Sequence, residues 1–501
     1  MKYEALAALA KIVSRNKVKQ IEILGSGSQA GSYPDQLYRD LQEDAFEEEA
    51  DAVHAYFGDK PHRRKYFNRV KCSLRERLIN TLFFVDSGQS DFSNFQRAYY
   101  SCYRYAAAVR ILMGRSGRKA AVPLAEYTLQ KSMRFEFTDI VLMMANQLRY
   151  HYGIIESDAR KFKAYNELVQ EYAEIQQVEL KLEAYYTELG LCFSGSKESK
   201  PEVLEVARKY AAYAEEQVGS YQSYRLNMYA HSIITLCYQI NYEHEALMQA
   251  CARAVSFFEG KKQRASQTAL YLFSMRMLPS MIIMKQYREA EHRIKYCLRL
   301  VERGDLNYFK VLEHYILLGF YSEQFNTAQR INELAHSTAG FEEQYANSSE
   351  YWRLYDAYIH LLHQMGKIKS PSVHSNFRLA RFLNAVPNYS RDKRGANIAI
   401  LVLQVLFLLQ QKRYYDIIDK ADALRQYTFR YLRKNDTFRS NCFLKMLLLL
   451  PHYGFKKEII TRRAAKLEKR LQEMPLSKAR QSLEVEIVPY EVLWKLTLEL
   501  L

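Results

Sequence analysis

Three residue pairs have a spacing that suits metal ligation. Glu289 and His292, and Glu333 and His336, stand three residues apart in predicted helices. That spacing recurs in di-metal helical bundles, where both side chains point into the bundle core. His360 and His363 can share one helix face in the same way. On a helical wheel, however, Glu289 and His292 fall away from the Tyr287/Ala290/Ile294 face. No neighbouring cysteine or carboxylate completes a site around His360 and His363. These residues are expected to be solvated or hydrogen-bonded polar groups, so no metal and no other cofactor is expected. The stretch GSGSQAGSYP (25–34) lacks the Lys-Ser/Thr ending of a phosphate loop and reads as a flexible connector. G-x-S-x-G, H-E-x-x-H, kinase and dinucleotide signatures are absent. The expectation is a protein that is not an enzyme.

The second kind of chemistry is charge. Formal net charge is +16 and unevenly spread. Residues 371–470 hold 21 Lys/Arg against 7 Asp/Glu, and residues 61–130 hold 13 against 4. Such asymmetry speaks of partners rather than of fold. Arg391, Lys393 and Arg394 crowd the stretch YSRDKRGAN, just before the apolar helix pattern NIAILVLQVLFLLQQ. A helix N-terminus already carries partial positive charge, so each added cation costs a few tenths to about 1 kcal/mol unless an anion relieves it. That anion could come from the chain itself, from an acidic protein or from nucleic acid. Further on, ADALRQYTFRYLRKND is expected to turn Ile418, Leu424, Thr428 and Leu432 inward. Arg430, Arg433 and Lys434 then face outward, Tyr427 and Tyr431 lie at the border, and Arg439 follows. Cations beside aromatics suit phosphate contact with base stacking, and equally suit long cations covering apolar surface.

These residues must be held by helices. Only 18 Gly and 10 Pro in 501 residues argue against a turn-rich sandwich or barrel. An N-terminal helix to about Arg15 is expected and does not read as an export signal. An acidic helix is expected in EDAFEEEADAVHAYFG and a basic one in RKYFNRVKCSLRERLINTLFFVD, with others at 91–114, 117–133 and 137–155. Residues 157–190 read as one long amphipathic helix capped by Ser157 or Asp158. Its apolar face is Phe162, Tyr165, Leu168, Tyr172, Ile175, Leu182, Tyr185 and Leu189. Seven widely spaced cysteines without a C-x-x-C pattern suggest reduced thiols and a cytoplasmic protein. The longest apolar runs fall short of the roughly 20 residues that span a bilayer, so no membrane partner is expected.

From about residue 200 a repeat emerges in LEVARKYAAYA, HEALMQACARAV, YREAEHRIKYCLRL and FNTAQRINELA. Each carries a small residue early in the helix: Ala207, Ala246, Ala290 and Ala328. Bulky helices lie between them. The pattern resembles tetratricopeptide-type repeats in architecture, over about 200–365. From 370 the order of basic phrases, ending in KLEKRLQEMP and EIVPYEVLWKLTLELL, resembles a bacterial family of helical-repeat proteins. That resemblance implies a helical fold and a bacterial source and carries no activity. The expected fold is an all-α solenoid of stacked antiparallel helix pairs with a helical N-terminal segment. Four segments are expected: N-terminal helices and linker (1–60), a basic helical segment (61–155), repeats (156–369) and a basic C-terminal region (370–501). The expected function is a non-catalytic scaffold or adaptor that binds a protein or peptide partner, an acidic one among the candidates. The alternative is a nucleic-acid binder that uses zones 61–130 and 371–470 with little sequence selectivity.

Overall fold

The computed structural model describes residues 32–43, 45–82, 94–195, 201–261, 267–342, 349–369, 380, 382, 396–431, 438–483 and 485–501. The expected first helix lies outside the described residues, as does the connector up to residue 31. Its last residues open a helix instead.

Among the described residues the chain is all-helical, with no strand. The helices are α1 (Tyr33–Gln42), α2 (Glu49–Phe57), α3 (Arg63–Leu82), α4 (Asn94–Gly114), α5 (Arg118–Phe135), α6 (Thr138–Tyr150) and α7 (Ala159–Gly195). There follow α8 (Pro201–Gln217), α9 (Tyr224–Ile240), α10 (His244–Gly260), α11 (Gln267–Ile283), α12 (Tyr287–Leu298), α13 (Leu306–Tyr321), α14 (Phe325–His336) and α15 (Ser349–Gln364). The last five are α16 (Ala396–Gln410), α17 (Tyr414–Tyr431), α18 (Phe438–His452), α19 (Lys457–Glu473) and α20 (Tyr490–Leu500).

The chain packs as two compact units. One takes in residues up to Leu180 together with Tyr221–Leu226, and the other Lys181–Ser220 with Asn227–Leu501. The boundary falls inside α7, where the sequence shows no break. In the first unit, α4, α5 and α6 pack on one another around Cys102, Ala106, Val109, Ala125, Ile140 and Met144. The acid of Asp158 caps α7 as expected, accepting from the Lys161 amide at 3.0 Å. Buried Glu179 on α7 accepts from Thr138 Oγ1 (2.6 Å) and Ser223 Oγ (2.5 Å). Burial pushes its carboxyl above the usual range.

In the second unit the helices pack as successive pairs, an α-solenoid arrangement, with α11 also meeting α13. The small residues work as expected at three of the four positions. Ala207, Ala290 and Ala328 are fully buried. Ala328 meets Gly319 of α13 so closely that a Cβ on Gly319 would lie 2.9 Å from the Ala328 Cβ. Ala246 is only half-buried. Leu247 holds the equivalent inward position, three residues after the first helical residue His244.

The turn after each inner helix supplies a second repeat marker. Tyr242, Lys285, Glu323, Gly366 and Lys412 all adopt positive φ. At four of these turns the next amide closes back on the helix: Glu243 to Tyr238, Gln286 to Met281, Lys367 to Leu362 and Arg413 to Leu408, at 2.9–3.0 Å. This is the left-handed helix stop that usually takes glycine. Here it is mostly built from Tyr, Lys and Glu, so glycine does not mark it in the sequence. It carries the pairing past residue 365 into α16 and α17.

Candidate interaction surfaces

The residues singled out in the basic C-terminal region fare unequally. Arg391, Lys393, Arg394, Arg433 and Lys434 lie outside the described residues. Tyr427, Arg430 and Tyr431 occupy the last turns of α17, and their side chains are likewise not described. The inner face of α17 differs from expectation. Ile417, Ala421 and Leu424 are buried, whereas Ile418 is 48% exposed.

Arg439 is corrected outright as a candidate for an external partner. It is buried at the start of α18, and all its donors are used within the chain. Nε and Nη2 donate to Glu486 (2.8 and 2.6 Å), Nη2 also to Glu491 (2.8 Å), and Nη1 to the carbonyls of Leu471 (3.0 Å) and Met474 (2.7 Å). The two carbonyls belong to the C-terminal end of α19 and its continuation, where a cation is favoured, and Glu491 lies in the first turn of α20, where an acid is. The Glu486 carboxylate also accepts from the Tyr490 amide (2.9 Å), and its backbone carbonyl accepts from the Tyr321 hydroxyl (2.5 Å). Arg439 therefore ties α18 to the segment that leads into α20.

Glu289 and His292 are exposed. Glu333 accepts from Gln329, His336 pairs with Asp356 at 3.0 Å, and His360 contacts Gln364. No group of three or more metal-ligating side chains occurs among the described residues. No described helix is long and apolar enough to cross a membrane. One buried histidine stands out: His231 is ringed by Phe257, Phe258 and Phe273, and burial pulls its pKa down to about 4.

Two exposed surfaces of the first unit were not resolved by the sequence reading. The first is a knuckle between α6 and α7. The expected straight helix to residue 155 gives way to a π-helical turn, His151–Ile155, and π turns are frequent at functional positions. The turn is pinned from inside. Tyr152 donates to Glu126 (2.7 Å) and stacks on Tyr165 with centroids 5.6 Å apart, and His151 meets Glu156 at 2.9 Å. Phe162 lies so close over Gly153 that a Cβ there would sit 2.8 Å from its ring. The outside of the knuckle is apolar: Tyr150, Ile154, Ile155 and Phe162 are 62, 66, 41 and 42% exposed. Exposed Arg160, Lys161 and Lys163 stand beside it.

The second surface is the outward seam of α4 and α5. Residues 94–135 contain eight Lys/Arg and a single acid, Glu126, which is the acceptor for Tyr152. At the seam Lys131 Nζ donates to Ser101 Oγ (2.6 Å) and lies 5.8 Å from the Tyr105 ring centroid. The Arg104 guanidinium approaches the same ring at 5.7 Å. Tyr127 meets Tyr105 edge-on, with centroids 5.8 Å apart, and is itself half exposed. Arg104, Arg110, Arg118, Lys119, Lys131 and Arg134 form no ion pair with any described carboxylate. The zone 61–130 was legible as basic; the meeting of Tyr105 and Tyr127 across two helices was not. No family model matches the chain, and no curated protein or solved structure matches it.

Proposed function

We propose that the protein is a non-catalytic scaffold or adaptor of helical-repeat architecture that binds a protein or peptide partner, with the α6–α7 knuckle of the first unit as a docking surface. The observation that carries this reading is the apolar knuckle at Tyr150, Ile154, Ile155 and Phe162. Scattered exposed apolar residues are normal on a monomer, but four large ones within thirteen residues, two on the π turn and one on each flanking helix, are the composition of an interface core. The π turn behind them is held by two partly buried hydrogen bonds and a ring stack, which restrain the patch. A preorganised patch loses little entropy on docking. Charges of both signs, Arg160, Lys161 and Lys163 with Glu156 and Glu167, give it a polar rim, as interface cores commonly have.

The test is affinity capture of the tagged full chain from its native cells, run beside an Ile154→Asp/Ile155→Asp variant. Both isoleucines are exposed, so the variant should fold with wild-type stability. A protein retained by the wild type and lost at least tenfold from the variant supports the reading. Identical capture profiles would remove the knuckle as the docking surface.

A further inference from the structure

We propose that the outward seam of α4 and α5 binds single-stranded nucleic acid, with Arg104 and Lys131 contacting phosphates and Tyr127 stacking on a base. The inference does not rest on the knuckle or on the adaptor reading. Charge complementarity is its first support. The helix pair carries seven cations, and its one acid is engaged by Tyr152. Elsewhere in the chain some cations meet carboxylates, as Lys71 does Glu49, Arg253 does Glu215 and Lys367 does Glu499, while others lie over rings, as Lys181 does over Tyr213. At the seam the cations of Arg104 and Lys131 both lie beside the one ring of Tyr105 and pair with no described carboxylate.

The second support is the rings. An acidic peptide would need the cations alone. A single strand offers phosphates for the cations and unpaired base faces for exposed aromatics, and that combination recurs at single-strand sites. Tyr127 is fixed by its edge contact with Tyr105 and still exposes half its surface. Tyr100, also half exposed, lies one turn before Arg104 on the same helix face. A duplex keeps its bases stacked inside and could use only the cations. The seam should therefore prefer single strands, with little regard for sequence.

The experiment is fluorescence anisotropy of the full chain with labelled single-stranded DNA, single-stranded RNA and duplex DNA of mixed sequence, roughly 20 nucleotides long, from about 50 to about 200 mM salt. The expected result is tighter binding of either single strand than of the duplex. Arg104→Gln/Lys131→Gln should weaken it and lower the slope of log K against log salt by about 1.4. Tyr127→Ala should weaken single-strand binding about 5- to 150-fold with little effect on duplex, while Tyr127→Phe keeps it. The proposal is overturned by no binding at the lowest salt, by variants that bind like wild type, or by duplex or polyglutamate competing as well as a single strand. Loss of the Tyr127→Ala effect alone would reduce the seam to a charge surface and overturn the stacking assignment.

Discussion

The seam of α4 and α5 and the start of α18 are both places where the sequence concentrates positive charge, and they use it in opposite ways. At the seam, Arg104 and Lys131 face outward beside two tyrosines and meet no acid. At α18, Arg439 is buried and meets two carboxylates and two helix-end carbonyls. Local sequence does not separate the cases. What separates them is the supply of acid from far along the chain. Glu486 and Glu491 lie 47 and 52 residues beyond Arg439 and are brought back to it by the fold of α19 and α20. A charge count therefore marks a region that needs anions. Only the packing tells whether the protein supplies them.

The largest effect that could break this comparison is on stability. Replacing Arg439 by Leu strands the Glu486 carboxylate in a dry interior, which should cost about 3–5 kcal/mol in denaturant unfolding. Arg439→Leu/Glu486→Leu should recover part of that, because no buried charge is left unpaired and the partly exposed Glu491 can be hydrated. If the single variant unfolds at the wild-type denaturant concentration, the pair is not the tie that its geometry indicates.

A buried ionisable group without an acid partner sharpens the contrast. His231 has its pKa lowered to about 4 by burial, from an ordinary 6.5. The unfolded chain therefore takes up a proton below about 6.5 that the folded chain refuses until about 4. The histidine's contribution is full above 6.5 and falls as pH drops through that window, by about 3 kcal/mol in all. The pH dependence of unfolding should flatten over that range in His231→Phe, provided the larger ring is accommodated among its phenylalanine neighbours. A curve that keeps its full slope in the variant assigns the loss to other groups.

Glu491 should matter less than Glu486, because it is partly exposed and can be hydrated when its partner is lost. Glu491→Gln keeps one acceptor for Arg439 and should cost about 1 kcal/mol in the same unfolding measurement. A cost equal to that of Arg439→Leu would mean that Glu491, not Glu486, neutralises the arginine.

Much of the architecture was legible. The burial of Ile175, Leu182 and Leu189 on α7, its Asp158 cap and the burial of Ala207, Ala290 and Ala328 follow from residue spacing, whereas Phe162, expected on the same apolar face, is 42% exposed at the knuckle. The failures share a cause. Ala246 was read as the small position because it matched by residue type, although the fold places Leu247 there. Ile418 was assigned inward one position out of register. The π turn at His151–Ile155 depends on Glu126 and Tyr165, which lie outside it in sequence. The repeat beyond residue 365 is hard to see because the left-handed turn after α16 uses Lys412 rather than the glycine found at Gly366. Of the candidate site residues in the C-terminal region, Arg439 was misjudged because its acids are distant. The seam was visible only as charge.

The smallest expected effect is the one that keeps the comparison honest at its other end. Arg104→Gln/Lys131→Gln removes two cations that make no ion pair with a described carboxylate, only hydrogen-bond and ring contacts at a partly exposed seam. Weak cation–π contacts with Tyr105 are lost, and mutual repulsion among the seven cations on one helix pair is reduced. These terms oppose each other, so the unfolding free energy should stay within about 0.5 kcal/mol of wild type at moderate salt. Lower salt should tilt the balance toward the variant, because repulsion among exposed cations is then less screened. If the variant instead loses stability comparable to Arg439→Leu, the seam cations hold the first unit together. They would then not be available to any ligand, and the two basic regions would be the same device at different depths.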